Sequence, residues 1–587
     1  MEQRSYNTIT GGRSVDLLTK DEDVGFWAKR TRLEQALIVI CSVLAIMAVC
    51  LIIAVVVISQ KRNIDDVTSE APPTTVTTSK PIVEKVCETE ICKLAADELK
   101  ATINYSINPC EDFYSYVCSG WRRDNPIPES MVTYTKFGLL DEKIKNELIE
   151  VLPNIDKYED GDVRTKAKTF YTSCINTETR EGKGVEGLKN VLKSVGGWPL
   201  LGENITEEYN WTDALVFSIR ELGSSPIIAF AVGPDAKNTS DNIVQIDQTS
   251  LSIGRNELLN SNKSDERVKE IMAAYKNLVK QSAMLLGSKK TEDQLDNDIN
   301  DMVEFERTLA TYTRSEEDRR DPNSLYKKMT IDGLQTGLNT EQIDILSFFN
   351  KIMANITELT NDTNIIVAEY DYLYQTCKLL GQNTTKPETI ANYIGWRIVQ
   401  NYGTETTENF TNTFLEFDKV TMGVEKSKPM NETCIDDANS LLDFALGNLF
   451  INHGFDVDTK TEIENMIAEL KTAFGELLKS NKWMDNNIKE KALNKLNEMF
   501  PMVAYPPWLN DTDKLNEYYE KLGDIIEGSH LENVITIAKF HTQKQLNKIN
   551  KSYNRTEEWA SAPAVVNAFY DPSANTITFP AGILQPP

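Results

Sequence analysis

An uncharged apolar stretch near the amino terminus constrains this chain more than any other feature. No charged residue occurs between Gln35 and Gln60, and Ala36–Ile58 is almost wholly apolar. As a helix with a rise of about 1.5 Å per residue, that stretch would span about 34 Å, enough to cross a hydrocarbon core of about 30 Å. A cleaved signal peptide has a shorter apolar segment nearer the terminus. The sequence therefore predicts a transmembrane signal-anchor helix over residues 33–60, after a polar cytoplasmic tail at 1–32.

Candidate N-glycosylation sites indicate on which side of a membrane the rest of the chain would lie. The N-x-S/T motif occurs at thirteen positions after the apolar stretch and at none before it. Each marks a surface site in a lumenal compartment if it is used. The acceptor residues are Asn104, Asn204, Asn210, Asn238, Asn262, Asn355, Asn361, Asn383, Asn409, Asn431, Asn510, Asn550 and Asn554. We therefore expect a single-pass type II protein of the plasma membrane, with its ectodomain extracellular.

Composition disfavours one class of partner and favours a globular region. The chain holds 62 Lys and Arg against 88 Asp and Glu, a formal charge of −26. Nucleic-acid binders carry a basic footprint, so we expect no nucleic-acid partner. Hydrophobic residues make up 41% of the chain, enough to build a core. A Thr- and Pro-rich stalk is predicted at residues 61–86, with a mainly helical globular region after it.

Local patterns place several secondary-structure elements in that region. Thr291 and Gln294 have the spacing of a capping box, which predicts the start of a helix. Apolar residues from Ile463 to Leu478 recur at the spacing of one helical face, and residues 514–549 hold further helical pattern. Strand-like patches are few. They lie at Ser225–Val232, Asn242–Ile246, Ala564–Tyr570 and Asn575–Phe579.

The three histidines and the glycine-rich motif carry no recognisable site. His453, His530 and His541 contain no H-E-x-x-H pair, and even on one helix His530 and His541 would lie about 16 Å apart. Ligands of one zinc ion each lie about 2.0–2.1 Å from it, so the sequence predicts no metal site within this chain. Gly182-x-Gly184-x-x-Gly187 follows polar residues rather than a hydrophobic strand, which predicts a flexible loop.

Seven of the nine cysteines follow the apolar stretch, and an odd number cannot all pair within the chain. Cys41 and Cys50 lie inside the stretch, where they act as small apolar residues. A leftover thiol in an oxidising compartment indicates an intermolecular bridge, a free thiol or a missing partner. The residue pattern alone leaves these three alternatives open.

An ordered series of motifs runs from about Cys87 to Pro587. Two of its members, Asn567-Ala568-Phe569-Tyr570 and Phe579–Pro587, are highly specific. The others are Pro109-Cys110-x-Asp112-Phe113-Tyr114-x-Tyr116-x-Cys118-x-Gly120-Trp121, Tyr171-x-Ser173-Cys174-Ile175-Asn176, Gly197-Trp198-Pro199, Arg320-Asp321-Pro322-Asn323-x-Leu325-Tyr326, Trp396-Arg397 and Trp483-Met484-Asp485. In this order they resemble the neprilysin and endothelin-converting-enzyme family of type II membrane zinc metallopeptidases.

The resemblance implies a fold, an activity and a cofactor. The fold is a mainly α, two-lobed neprilysin-like ectodomain, with a helical capping lobe and the start of a thermolysin-like catalytic lobe, after one transmembrane helix. Its ranges are 87–505 for the N-terminal ectodomain and 506–587 for linking helices and a truncated start of the catalytic domain. The activity is cleavage of short extracellular peptides by zinc, which polarises the scissile carbonyl and activates water. Association into a homodimer is left open.

The resemblance also implies site residues. The family's Asn-Ala-Phe-Tyr strand binds the substrate backbone by strand addition. The resemblance therefore gives substrate-binding roles to Asn567, Ala568, Phe569 and Tyr570. Phe137 matches a pocket-lining aromatic residue. Thr133 stands where some members carry an Arg that grips a substrate's terminal carboxylate, so a strong dipeptidyl-carboxypeptidase preference is not expected.

This sequence departs from the family at the zinc site. In the family an H-E-x-x-H helix follows the stretch that matches Phe579–Pro587, and a Glu ligand comes later, but this sequence contains neither. We therefore expect an incomplete or inactive form that binds no zinc. The alternative is a non-catalytic ectodomain that binds peptides or pairs with a full-length enzyme. The resemblance pairs Cys87 with Cys92 and Cys174 with Cys434, gives Cys110 and Cys118 partners in the missing part, and leaves Cys377 unplaced.

Overall fold

The computed structural model describes most of the chain from residue 86 onward. The described residues are 86–155, 158–159, 161–205, 209–260, 265–340, 343–381, 384–549 and 551–585. By their backbone contacts they fall into two compact units, one ending at Asp124 and the other continuing from Asn125. The predicted tail and apolar span, and all of the predicted stalk except Val86, lie outside the described residues.

The predicted location as a single-pass plasma-membrane protein is corrected by the structure. Among the residues that the structure describes, no helix is both long and apolar enough to cross a bilayer. The longest of them, Val457–Ser480, carries Asp, Glu and Lys along its length, and charged side chains are costly in hydrocarbon. The apolar stretch on which the prediction depended, residues 33–60, lies outside the described part of the chain.

The first unit is a pair of helices, α1 (Glu90–Thr102) and α2 (Phe113–Asp124). Their close approach requires Gly120, because a Cβ there would lie 2.3 Å from the carbonyl oxygen of Ala101. A disulfide joins Cys87 to Cys92 at the start of α1. Thr89 caps that helix by accepting a hydrogen bond from the Cys92 backbone N–H.

The second unit is mainly helical. Its helices are α3 (Lys136–Val151), α4 (Val163–Ile175), α5 (Thr177–Lys183), α6 (Glu186–Ser194), α7 (Trp211–Leu222), α8 (Arg255–Asn260), α9 (Glu266–Leu285), α10 (Glu292–Tyr312), α11 (Ile331–Leu338), α12 (Ile345–Ile352), α13 (Tyr370–Gly381), α14 (Pro387–Tyr402), α15 (Glu408–Thr421), α16 (Met430–Leu441), α17 (Asp443–Gly454), α18 (Val457–Ser480), α19 (Asn486–Asn497), α20 (Thr512–Tyr518) and α21 (His530–Leu546). Short 3₁₀ turns lie at Leu152–Asn154, Pro199–Leu201, Gly403–Glu405, Pro507–Asn510 and Ala581–Leu584.

Helix α14 lies in the middle of the hydrophobic core. It is buried on every side, as expected for a core helix rather than an amphipathic surface helix. The Trp198 ring packs so closely on it that a Cβ at Gly395 would lie 2.3 Å from the indole Cδ1. The indole N–H donates to the Asn392 carbonyl at 3.0 Å, so this buried donor is satisfied.

Seven strands form two small sheets in the described residues. The strands are β1 (Ile228–Asp235), β2 (Asn238–Gln248), β3 (Lys328–Thr330), β4 (Asn364–Val367), β5 (Phe500–Ala504), β6 (Phe569–Asp571) and β7 (Thr576–Pro580). The first sheet has the order β1-β2-β4-β3, with only the β2–β4 pair parallel. The second has the order β5-β7-β6, with β5 parallel and β6 antiparallel to β7.

The predicted capping box is confirmed. The Thr291 hydroxyl accepts from the Gln294 N–H, and the Gln294 side chain accepts from the Thr291 N–H, at the start of α10. The predicted helix over Ile463–Leu478 is also present, within α18. Only part of its apolar face is covered, because Ile467 and Leu478 are buried whereas other members of that face are exposed.

Candidate peptide-binding site

Strand β6 forms an open edge of the second sheet. It pairs on one side with β7, with Phe569 opposite Thr578 and Asp571 opposite Thr576. Within the described residues no strand pairs with its other side. An open edge presents backbone N–H and C=O groups to which an extended peptide can add as a further strand. Asn567 and Ala568, immediately before β6, are exposed, and the Tyr570 side chain is 45% exposed.

The turn after β6 is fixed by side-chain hydrogen bonds. One carboxylate oxygen of Asp571 accepts from the Ser573 N–H at 2.8 Å and from the Ala574 N–H at 3.2 Å. Asn575 then takes a left-handed conformation with φ of 52°, which Asn tolerates better than most residues. Asp-Pro-Ser-Ala-Asn is therefore suited to reversing the chain, and it sets the register of the β6–β7 hairpin.

The hairpin is anchored to the helical part of the unit. The Asn575 amide donates to the Lys495 carbonyl at 2.8 Å, and Arg555 donates to the Ala574 carbonyl at 3.1 Å. The far edge of the sheet, β5, packs against α18, where Lys471 donates to the Met499 carbonyl at 2.7 Å. These contacts hold the edge strand in place without occupying its open side.

The Asn567 side chain folds back on the neighbouring backbone. Its Oδ1 accepts the Ala568 N–H at 2.9 Å. A peptide that adds at Ala568 would need that N–H, so the Asn567 amide must rotate away before it can bond the peptide. The amide can then both donate and accept, as a peptide backbone requires.

Phe137, the other predicted substrate-binding residue, is 60% exposed at the start of α3. Further along α3, Ile144 packs on the turn at Ala581–Leu584 that follows β7. Its Cδ1 would lie 3.0 Å from a Cβ placed at Gly582. Helix α3 is thus a neighbour of the sheet. The role of Phe137 in a substrate pocket stays a prediction.

The histidines are scattered, and they do not fit a catalytic zinc site. His453 is exposed near the end of α17, while His530 and His541 lie eleven positions apart on α21. Over one helix that separation is about 16 Å, too long for two ligands of one ion. His541 Nε2 bonds the Leu441 carbonyl oxygen at 2.7 Å, and burial lowers the pKa of His541.

The glycine motif and the cysteines are also placed. Gly184, with φ of 58°, ends α5 and the chain turns into α6, so the motif joins two helices rather than a strand and a helix.

Cys174 and Cys434 are disulfide-bonded, like Cys87 and Cys92. The described free thiols are Cys110, Cys118 and Cys377. Burial raises the pKa of Cys377 to about 12, which makes it an unreactive core thiol.

Ten of the candidate glycosylation residues are described. Nine are exposed, and Asn104 is half-buried. In three of these motifs the Asn Oδ1 accepts the hydroxyl two positions on, from Ser106, Thr212 or Thr556. The other three, Asn262, Asn383 and Asn550, lie outside the described residues. Use of these sites stays a prediction.

One cluster was not predicted from the sequence. His530, Glu405, Asp437 and Arg180 come together beside the Cys174–Cys434 disulfide, and all are buried. His530 and Glu405 are 125 positions apart. No local spacing joins them, so no sequence pattern signals the cluster.

Comparison with known proteins identifies the scaffold. In a zinc metalloprotease, ZMP1 of Mycobacterium tuberculosis, 70% of the chain superposes on 83% of this chain with a TM-score of 0.72 and 22% sequence identity. The chain therefore shares its mainly helical fold, with the small sheets, with that protein.

The sequence comparisons give the family. A model of peptidase family M13 matches residues 109–506. Neprilysin-1 of Trittame loki is 35% identical over 542 residues, which are 92% of this chain and 74% of that protein. Endothelin-converting enzyme 1 of Rattus norvegicus is 29% identical over 563 residues, 96% of this chain and 69% of that protein. The chain belongs to peptidase family M13.

Proposed function

We propose that this chain is a peptide-binding M13 scaffold: it binds short peptides at the β6 edge and does not hydrolyse them on its own. The observation that carries the proposal is the open side of β6 next to Asn567 and Ala568. Backbone pairing at an edge strand gives affinity for any extended peptide, and neighbouring side chains give selectivity. Short peptides are the expected ligands because the relatives are named as neprilysins and endothelin-converting enzymes.

The proposed lack of hydrolysis rests on the histidine inventory. Family-level chemistry requires zinc with two His ligands from one helix, and the sequence has no H-E-x-x-H. The edge strand supplies only the binding half of such a reaction. Activity of the family type would need zinc ligands from residues that this sequence does not contain. Homodimer formation stays a prediction, since the structure describes one chain.

Peptide binding tests the proposal directly. An end-blocked extended peptide of five or six residues is titrated into the chain and followed by calorimetry. Asn567→Ala removes the amide that should bond the peptide backbone, and we expect about a 5-fold weaker Kd, since one hydrogen bond contributes on the order of 1 kcal/mol.

Asn487→Ala is the matched control, because it is the same change at an exposed position on α19 away from the edge strand. Its Kd should equal that of the unchanged chain. Equal binding by Asn567→Ala and Asn487→Ala would contradict the assignment of the edge. Release of peptide fragments by the purified chain with zinc present would contradict the proposed inactivity.

A further inference from the structure

A set of metal-ligand residue types lies in the interior beside a disulfide. Cys174 is near the end of α4, Cys434 and Asp437 are one turn apart on α16, and His530 begins α21. Ligand atoms of Cys174, Asp437 and His530 all lie within 4.8 Å of one another. Each of the four residues is at most 5% exposed. The Cys434 sulfur is bonded to the Cys174 sulfur at 2.03 Å.

The hydrogen bond made by His530 leaves one ring nitrogen as a lone-pair donor. Nε2 lies 2.9 Å from Glu405 Oε2. In the tautomer that donates from Nε2 to this carboxylate, Nδ1 has the lone pair that a metal ligand needs. That buried Nδ1 has no hydrogen-bond partner in the described part of the chain. A histidine that ligates a metal through one ring nitrogen usually donates the N–H of its other ring nitrogen to a carboxylate, a backbone carbonyl or water.

We propose that Cys174, Cys434, His530 and Asp437 form a redox-gated site for a zinc-like divalent cation, which binds when the Cys174–Cys434 disulfide is reduced. Two thiolates, one imidazole and one carboxylate are four ligands, as tetrahedral zinc requires. Ligand atoms on one such ion lie about 3.3–3.8 Å apart. The ligand atoms of Cys174, Asp437 and His530 therefore need to approach by about 1.5 Å at most, while the two sulfurs, 2.03 Å apart in the disulfide, need to separate by about 1.7 Å after reduction.

A dithiol is the reductant that converts the Cys174–Cys434 disulfide into two thiols. The disulfide accepts two electrons and two protons and becomes two thiols, while the dithiol is oxidised to its own disulfide. The cation then displaces both thiol protons to solvent, because thiolates are the metal ligands. With the disulfide intact no thiolate exists, and only His530 and Asp437 remain as ligands, so the oxidised chain binds the cation weakly.

The charged groups around the proposed site are Arg180 and the carboxylates of Glu405 and Asp437. Arg180 interacts with Glu405 and Asp437, and burial lowers the pKa of Arg180. Its guanidinium donates to the Cys174 carbonyl at 3.2 Å, which ties it to the same helix end. Two thiolates and the Asp437 carboxylate carry three negative charges. With the Glu405 carboxylate the cluster carries four, of which a divalent cation and Arg180 offset three.

The test is a titration with Co²⁺ and Zn²⁺ in a chain whose other cysteines, except Cys377, are replaced. Cys377 is kept, because it is buried and protonated. Ser replaces Cys41, Cys50, Cys87, Cys92, Cys110 and Cys118. After reduction by a dithiol, we expect one Co²⁺ per chain with tetrahedral thiolate spectra, displaced by Zn²⁺ with a Kd below about 100 nM. The oxidised chain should show no such spectrum.

His530→Gln should weaken Zn²⁺ binding about 100-fold or more, while the amide still donates to Glu405. His541→Gln is the matched control on the same helix and should bind normally. If the reduced apo chain unfolds, Zn²⁺ should restore its circular dichroism and protect both thiols from alkylation, in a manner dependent on His530. Absence of tight binding, or binding unchanged by His530→Gln, would overturn the proposal.

Discussion

At the scale of single residues, a buried carboxylate organises the helical core. Glu306 on α10 is fully buried. It accepts from the Ser252 N–H at 2.6 Å and from the Tyr275 hydroxyl at 2.7 Å. Arg397 on α14 donates to the Tyr393 hydroxyl at 3.1 Å, which in turn lies 3.4 Å from Glu306. Arg397 of the Trp396-Arg397 motif thus belongs to a buried hydrogen-bond network around Glu306.

Glu306→Gln should destabilise the chain by about 3 kcal/mol, because it removes the charge and turns an N–H₂ group toward existing donors. Glu304→Gln on the same helix is the control, since Glu304 is 59% exposed in its ion pair with Arg307 and should matter little. Urea unfolding gives both values. Equal stability of the two variants would show that the network is not a structural requirement.

A second residue-scale feature is a lysine buried among aromatic rings. The Lys544 ammonium lies 2.6 Å from the centre of the Tyr518 ring and has no hydrogen-bond partner among the described residues. Burial lowers the pKa of Lys544 to about 7 from a usual value of 10.5. Between those two pH values the unfolded chain holds a proton that the folded chain lacks. Stability therefore rises with pH across that window, and the full cost of burying the charge is present below it.

Lys544→Met should stabilise the chain at pH 6 by on the order of 2 kcal/mol, with the gain shrinking as the pH approaches 10. Lys521→Met, at an exposed position, should change the free energy of unfolding little at either pH. Chemical unfolding at pH 6 and pH 9 measures both variants. A gain that does not depend on pH would contradict the burial of a charged amine.

At the scale of elements, α18 carries a stripe of exposed apolar side chains. Met466, Leu470, Phe474 and Leu477 are each more than half exposed, and Trp483 follows them. The opposite side of the helix is covered by β5 and α19. Contiguous exposed apolar surface of this kind promotes association.

Leu470→Lys combined with Phe474→Lys should reduce self-association in analytical ultracentrifugation and leave the Tm almost unchanged. Ile467→Lys, on the covered side of the same helix, should instead destabilise the chain by several kcal/mol, since it buries an unpaired charge. If the double variant lowered the Tm as much as Ile467→Lys, the stripe would have to be part of the folded core.

Sequence patterns predicted elements where local chemistry decides them. The α10 capping box, the α18 helix and β7 are set by nearby residues, and they occur close to the predicted positions. Strand β5 was missed because Pro501 interrupts its pattern, and it forms by long-range parallel pairing with β7. Residues 564–568 were predicted as strand but have no ladder partner, so only Phe569–Asp571 forms β6. The helical pattern over 514–549 is broken between α20 and α21, where Gly528 has φ of 70°.

At the scale of the whole molecule, the ordered motif series was enough to predict the family and the mainly helical fold. The same series gives peptide-binding roles to Asn567 and Ala568, and these roles stay a prediction. It could not predict the buried cluster at His530 or the network at Glu306, because those contacts join residues that are far apart in sequence and depend on the final packing. The central claim is that the chain binds a peptide at β6 and leaves it intact.

Hydrogen–deuterium exchange with peptide and zinc present, followed by mass analysis of the same sample, tests that claim most directly. We predict slower amide exchange within Ala568–Asp571 on peptide addition, because added strand pairing covers the N–H groups that point to the open side of β6, together with a single intact peptide mass. Peptide fragments, or protection elsewhere with none at Ala568–Asp571, would contradict the account.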